Sequence, residues 1–279
     1  MSEQSTDSTV IRVRRRLPAP LRLVYGIYAI ATFLLLAVCA LLATLLLPGV
    51  QRHRAAARTA ARTFLRIAGM PLTVKGLDRL PPGQCVVVSN HASYIDGIVF
   101  TAALPPRFGY VIKREMNAVP LAGLLLRQLG SEFVERFNRQ RGAADARRML
   151  RTAVSGNSLV FFPEGTYSQT PGLLKFHAGA FMTAARAACP VVPAVVKGTR
   201  VTLPPGRPWP HPGRIIVEIL PAITATTSGK TDAAAVELRD RAREAVLREL
   251  GEPDLHVAPV LPTDLVQSVR DLPERAGLD

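Results

Sequence analysis

The run Cys85-Val86-Val87-Val88-Ser89 constrains the fold more than any other stretch of this chain. It is an unbroken apolar, β-branched segment, bounded by Pro81-Pro82-Gly83 before and by Asn90 and His91 after, and it reads as a strand buried on both faces. A strand of that kind needs helices on both sides of its sheet. From Leu72 onward the chain alternates short strand-like runs with helical patterns, as such a fold requires. Strands are predicted at Leu72–Val74, Cys85–Ser89, Phe108–Ile112, Glu132–Val134, Leu159–Phe162, Val191–Val196 and Ile215–Leu220. Helices are predicted at Ile95–Leu104, Leu121–Leu129, Ala143–Val154, Ala178–Ala188 and Ala233–Leu250. The rhythm predicts an α/β domain with a largely parallel sheet flanked by helices.

The N-terminal part has a different character. Residues 1–20 are polar and then basic, and are expected to be disordered. From Leu21 to Leu47 only Arg22 is charged; as a helix this segment would be roughly 40 Å long, against a hydrocarbon core of about 30 Å. It exceeds a signal-peptide core and reads as a retained membrane anchor. Pro48-Gly49 ends it. The next stretch, Gln51–Ala68, carries Arg52, Arg54, Arg58, Arg62 and Arg66 at near-helical spacing.

Basic residues flank the apolar segment on both sides, so loop charge does not orient a simple span. A hairpin or monotopic insertion with both ends cytoplasmic fits at least as well. The arginine-rich helix is expected to lie along anionic headgroups, at about 1 kcal/mol per basic residue; alternatively its arginines simply solvate a helix face. The resulting division is a basic N-terminus (1–20), a membrane-anchoring helical segment (21–70), a catalytic domain (71–251) and an irregular C-terminal tail (252–279).

The chain has 35 Lys+Arg against 21 Asp+Glu, a net charge of +14 over 279 residues. That balance implies an anionic partner without choosing among nucleic acid, an anionic lipid surface and a phosphorylated substrate. Cys39, Cys85 and Cys189 have no paired spacing and no histidine cluster, so neither a disulfide framework nor a metal site is expected.

The polar residues worth singling out sit where predicted strands end. His91 follows the central strand, and Asp96 comes after four intervening residues, in the first turn of the next helix. A tight strand-to-helix turn would let the carboxylate hydrogen-bond one ring nitrogen of His91, fix its tautomer and leave the other nitrogen as a base. A loop histidine and a helix-start aspartate are the bland alternative. Lys113 and Arg114 end another strand, Arg136 follows a third, and Pro163-Glu164-Gly165-Thr166 forms a polar turn after a fourth. Cationic groups converging beside a general base point to a phosphorylated alcohol, bound by Arg forks, Lys point charges and backbone amides of a glycine turn.

In order, Asn90-His91-(four residues)-Asp96, Gly130-x-x-Phe133-Val134-x-Arg136, Phe162-Pro163-Glu164-Gly165-Thr166 and Val192-Pro193 resemble the four blocks of the glycerolipid acyltransferase family, which includes the 1-acylglycerol-3-phosphate acyltransferases. The resemblance covers about residues 74–198. It implies His91 as general base and Asp96 as its orienting partner. Arg136 and the Glu164-Gly165-Thr166 turn would bind the acceptor head group, with Lys113 near its phosphate. Asn90, Pro163 and Pro193 would shape the site. It also implies acyl-CoA or acyl-carrier protein as co-substrate with no other cofactor, a lysophospholipid acceptor, and a membrane partner with anionic headgroups rather than nucleic acid. The location would be the cell membrane, with the active site on the cytoplasmic face.

Two positions depart from the family pattern. Tyr167 stands where many members have Arg, and Phe176-His177-Ala178-Gly179 where many have Phe-Lys-Lys-Gly. Fewer phosphate-binding cations follow. Lysophosphatidic acid remains the leading acceptor, and a lyso-aminolipid such as lyso-ornithine lipid becomes an alternative. A membrane-bound lipid hydrolase would use the same His/Asp pair on water. The oxyanion is expected to be held by backbone N–H groups near the start of the helix at about Tyr94.

Overall fold

Alternate residues of the central strand feed two different cores, which is why the run of valines had to be continuous. In the computed structural model, which describes residues 18–134, 156–226 and 231–256, β2 (Val86–Ser89) is buried along its whole length. Val87 joins Val160 and Val192 in one core, under α2 (Val50–Ile67) and α3 (Asp96–Ala103). Val86 and Val88 join Leu159 and Phe161 in the other, under α4 (Gly179–Arg186) and α5 (Thr231–Leu250). Each fully buried side chain of this kind contributes about 1.5–3 kcal/mol.

The other strands are β1 (Leu72–Lys75), β3 (Phe108–Lys113), β4 (Glu132–Val134), β5 (Ser158–Phe161), β6 (Val191–Lys197) and β7 (Ile215–Ile219). They form one sheet in the order β1-β7-β6-β2-β5-β3-β4. All described pairings are parallel except β6 with β7, which is antiparallel. Because β6, β2, β5, β3 and β4 run the same way, their carboxyl ends open on one rim. The strands lie where the sequence predicts them, as do the helices apart from Ala143–Val154, which falls outside the described residues together with Arg136.

The N-terminal segment forms a helical hairpin. α1 (Ala19–Leu46) turns at Gly49, whose φ of 89° suits glycine, and packs against α2. Tyr25 donates its hydroxyl to the carbonyl of Ala68 at 2.6 Å, and Phe33 meets Phe64 edge-on at 5.4 Å. The arginines of α2 correct a sequence expectation. Arg54 donates to the carbonyls of Leu129, Arg107 and Gly130, and burial lowers its pKa. Arg58 and Arg62 donate to Ala103 and Ala102, at the carboxyl end of α3. Positive charge belongs at that end of a helix, where carbonyls lack partners. Three of the five arginines therefore hold α2 to the domain, and Arg52 and Arg66 remain on its exposed side.

The Pro-rich loop before β7 also reaches this hairpin. The ring of Trp209 lies so close to Gly26 that a Cβ there would clash with it, so the glycine makes room for the indole.

Candidate active site

The loop after β2 is released from the sheet by a side chain that takes over the backbone's role. Asn90 donates Nδ2 to the carbonyl of Val196 at 3.0 Å and accepts the Val196 amide on Oδ1 at 2.8 Å, adding one rung to the β2–β6 ladder. The main chain is thereby free to turn at His91. Asp96 then draws the turn tight: its Oδ2 accepts the amides of Ala92 and Ser93 at 2.7 and 2.9 Å. The same oxygen lies 2.8 Å from Nδ1 of His91. Asp96 is fully buried, and its Oδ1 has no hydrogen-bond partner among the described residues.

The His91 ring is stacked on Phe162, with centroids 4.5 Å apart and planes at 25°. Tyr167 approaches it nearly perpendicular at 4.9 Å. With Nδ1 on Asp96 and the side chain 19% exposed, Nε2 is the nitrogen left for chemistry; it makes no hydrogen bond among the described residues. A histidine held by a buried carboxylate, with one nitrogen unclaimed, is the arrangement of a general base toward a hydroxyl or water.

Glu164 sits elsewhere than a head-group contact would. It is 4% exposed, and both its oxygens are taken by backbone: Oε1 by the amide of His91 at 2.6 Å, Oε2 by the amide of Leu174 at 2.8 Å. The turn that carries it is closed by the Gly165 amide on the Phe162 carbonyl at 3.1 Å, and Gly165 has φ of 74°, which favours glycine. Thr166 is exposed at the tip of that turn. Pro163 is buried, and its carbonyl accepts the amide of His177. Pro193 lies within β6 opposite Val88, below the rim rather than at it. Lys113 is exposed at the end of β3, two strands from β2 and so about 10 Å across the rim. Farther along, a cavity of about 210 Å³ is lined by Arg114, Asn117, Arg127, Ser131, Glu132 and Phe133, beside the end of β4.

Of the amides in the turn before Tyr94, those of Ala92 and Ser93 serve Asp96 and that of His91 serves Glu164, so these three are not available to an oxyanion. Three further residues were not legible in advance. Phe162 supports the imidazole because successive strand residues face opposite ways, so that Phe161 enters one core while Phe162 turns to the other. Arg200 donates to the carbonyls of Ser168 and Thr170 and pairs with Glu252, which also accepts the amide of Gly172. That network fixes the segment leading to Leu174 and hence Glu164, and it gives the start of the C-terminal tail a structural role.

Burial pushes the carboxyl of Glu164 up from 4.5 to about 6, against the opposing pull of the amides of His91 and Leu174 and of the charges of His91 and Arg200. A raised folded-state pKa means that the fold favours the neutral form. The associated stability is complete below the unfolded value near 4.5 and is lost as pH rises through about 6. Relative to Glu164→Gln, the wild type should therefore lose about 2 kcal/mol between pH 4.5 and pH 7. Denaturant unfolding of both proteins in detergent reads this difference; a gap that does not change with pH would refute it.

The α/β domain thus presents a His–Asp pair and a glutamate-glycine turn on one rim. The acyltransferase family model matches residues 71–197. Through this segment the chain belongs to the glycerolipid acyltransferase family, and it is similar to proteins named 1-acyl-sn-glycerol-3-phosphate acyltransferases. It is 31% identical over 182 residues to a putative enzyme of that name from Caenorhabditis elegans, covering 64% of each chain. It is 28% identical over 242 residues to the Saccharomyces cerevisiae enzyme, covering 82% of this chain and 80% of the other. The fold is similar to the crystal structure of the 1-acyl-sn-glycerophosphate acyltransferase PlsC from Thermotoga maritima, with a TM-score of 0.67 and 22% identity over 82% of this chain and 96% of that one.

Proposed function

We propose that this chain is a membrane-bound O-acyltransferase that moves a fatty acyl group from acyl-CoA or acyl-carrier protein to the free hydroxyl of a lysophospholipid. The leading acceptor is 1-acylglycerol-3-phosphate, and the product is phosphatidic acid. The observation that carries this reading is the 2.8 Å contact between Nδ1 of His91 and the fully buried Asp96. In this scheme Asp96 holds the Nδ1 proton, and Nε2 takes the proton of the acceptor hydroxyl as its oxygen attacks the thioester carbonyl. A C–O bond forms, the C–S bond breaks, and the imidazolium returns the proton to the leaving thiolate. General-base assistance of this kind contributes about 10²–10⁴-fold.

Glu164 is a positioning residue in this scheme, because it grips the backbone of His91 rather than the acceptor. The head group falls to Lys113, Arg136 and the Gly165-Thr166 turn, exposed at Thr166. Tyr167 keeps a lyso-aminolipid acceptor as the second reading, since it supplies an aromatic hydroxyl where the family pattern has a cation. α1 supports membrane attachment: among the described residues it is the one helix long and apolar enough to cross a bilayer. Because α2 is pinned to the domain along its length, insertion of the hairpin's open flank fits better than a perpendicular span. The active site then works from the cytoplasmic face.

The test is a panel of lysolipid acceptors given one radiolabelled acyl-CoA, with purified protein in detergent. Label is expected in phosphatidic acid, at a rate that rises with lysophosphatidic acid. Label found as free fatty acid at a rate indifferent to any acceptor would make the protein a hydrolase.

A further inference from the structure

Two aromatic rings crowd the candidate base, and a third backs one of them. Phe162 lies under the imidazole and is itself set against the core by an edge contact with Phe100 at 5.6 Å. Tyr167 stands across the same imidazole at 4.9 Å, and Tyr94 meets Tyr167 at 4.8 Å with the planes at 73°. Tyr94 comes from the turn after β2 and Tyr167 from the turn after β5, so the pair bridges the two loops that build the site. Tyr94 is 62% exposed and forms its outer edge.

Resting on the acyl-transfer reading above, we propose that Tyr167, backed by Tyr94, is a positioning and specificity-determining residue that walls the His91 imidazole from water and so directs the acyl group to a lipid hydroxyl instead of to hydrolysis. A histidine base does not discriminate between an alcohol and water, because either oxygen loses its proton to the same nitrogen. Attack by water would form a C–O bond, break the C–S bond and release free fatty acid and thiol. Water is the smaller and more abundant nucleophile, so the choice has to come from access. Aromatic faces supply it, since water beside them forfeits hydrogen bonds while the glycerol backbone and acyl chain of a lipid cover them favourably. Phe162 closes one face of the imidazole and Asp96 takes Nδ1, which leaves the side guarded by Tyr167 as the approach to be controlled. Burial and the neighbouring Tyr94 hydroxyl raise the Tyr167 pKa, so the wall carries no charge that would hold water in place. An arginine at this position would bring its own hydration shell to the base.

The experiment uses the full chain in phospholipid vesicles, with radiolabelled acyl-CoA and lysophosphatidic acid, and reads free fatty acid against acylated lipid in the same sample. Tyr167→Ala is expected to raise the ratio of hydrolysis to transfer about tenfold, while Tyr167→Phe, which keeps the ring, stays within about twofold of wild type. Tyr94→Ala, at an exposed position, should raise the ratio about threefold and serves if the Tyr167→Ala protein does not fold. A ratio unchanged in both alanine variants, even with both rates reduced, would show a merely structural role and overturn the proposal. A phenylalanine variant as leaky as alanine would overturn it too, by assigning the effect to the hydroxyl. Failure of the acyl-transfer reading itself is seen separately, in the wild type, as free acid whose rate ignores the lysolipid.

Discussion

Replacing His91 with alanine is expected to lower kcat for acyl transfer by about 10⁴-fold, with the circular dichroism spectrum and thermal midpoint close to those of the wild type. The ring is partly exposed at a rim, and its main chain is held by Glu164 through an amide that alanine retains. Asp96 allows a finer dissection. One of its oxygens takes all three donors, from His91, Ala92 and Ser93, while the other takes none. In Asp96→Asn the amide oxygen can occupy the first place and keep every bond, with the NH₂ in the vacant one. The ring pose and tautomer survive, and only the negative charge facing the imidazolium is lost. We expect a loss of about 10–100-fold for asparagine, against about 10³-fold or more for Asp96→Ala, which removes the bonds as well. Turnover in His91→Ala above about a tenth of wild type would end the general-base assignment.

How far the sequence foretold this site depends on whether the interaction is local. The His91–Asp96 contact spans one turn of chain, so strand end, turn and helix start place it within reach, and the structure brings the two to 2.8 Å. The strands were legible for the same reason: β2 is apolar throughout, and β7 alternates buried and half-buried residues with the period of a pleated strand. What could not be read depends on carbonyls and amides far along the chain. Arg54 looks like one member of a basic stripe until Arg107, Leu129 and Gly130 come into contact with it. Glu164 looks like a head-group ligand until the amides of His91 and Leu174 claim both its oxygens. Backbone groups carry no sequence signature, so side chains that serve them are easily mistaken for side chains that serve a ligand. The reversed pairing of β7 is similar, since the loop from Gly198 to Arg214 leaves either direction open.

The second large effect is expected at the membrane. Along α1, Val24, Ile27, Leu34, Leu35, Leu42, Leu45 and Leu46 are each more than half exposed. Spaced by three or seven residues, with two adjacent pairs, they fall on one side of the helix, and the exposed Val38 fills one of the gaps in the resulting stripe. A soluble surface rarely shows an apolar strip of that length, and a bilayer would cover it. Tyr25 and Phe33, which hold α1 to α2, lie off this stripe, so it can be altered without opening the hairpin. Each exposed leucine changed to serine should remove about 1 kcal/mol of bilayer binding, a partial share of the 1.5–3 kcal/mol for complete burial. The triple variant Leu34→Ser, Leu42→Ser, Leu45→Ser is then expected to bind anionic vesicles about 10²-fold more weakly, as read by co-sedimentation. Because three arginines of α2 are bound to the protein, the salt dependence of that binding should be shallow, governed by Arg52, Arg66 and the basic N-terminus rather than by the whole stripe. Vesicle binding that survives the triple variant but collapses in moderate salt would reverse this order of forces, making charge rather than the apolar flank of α1 what delivers His91 to its lipid substrates.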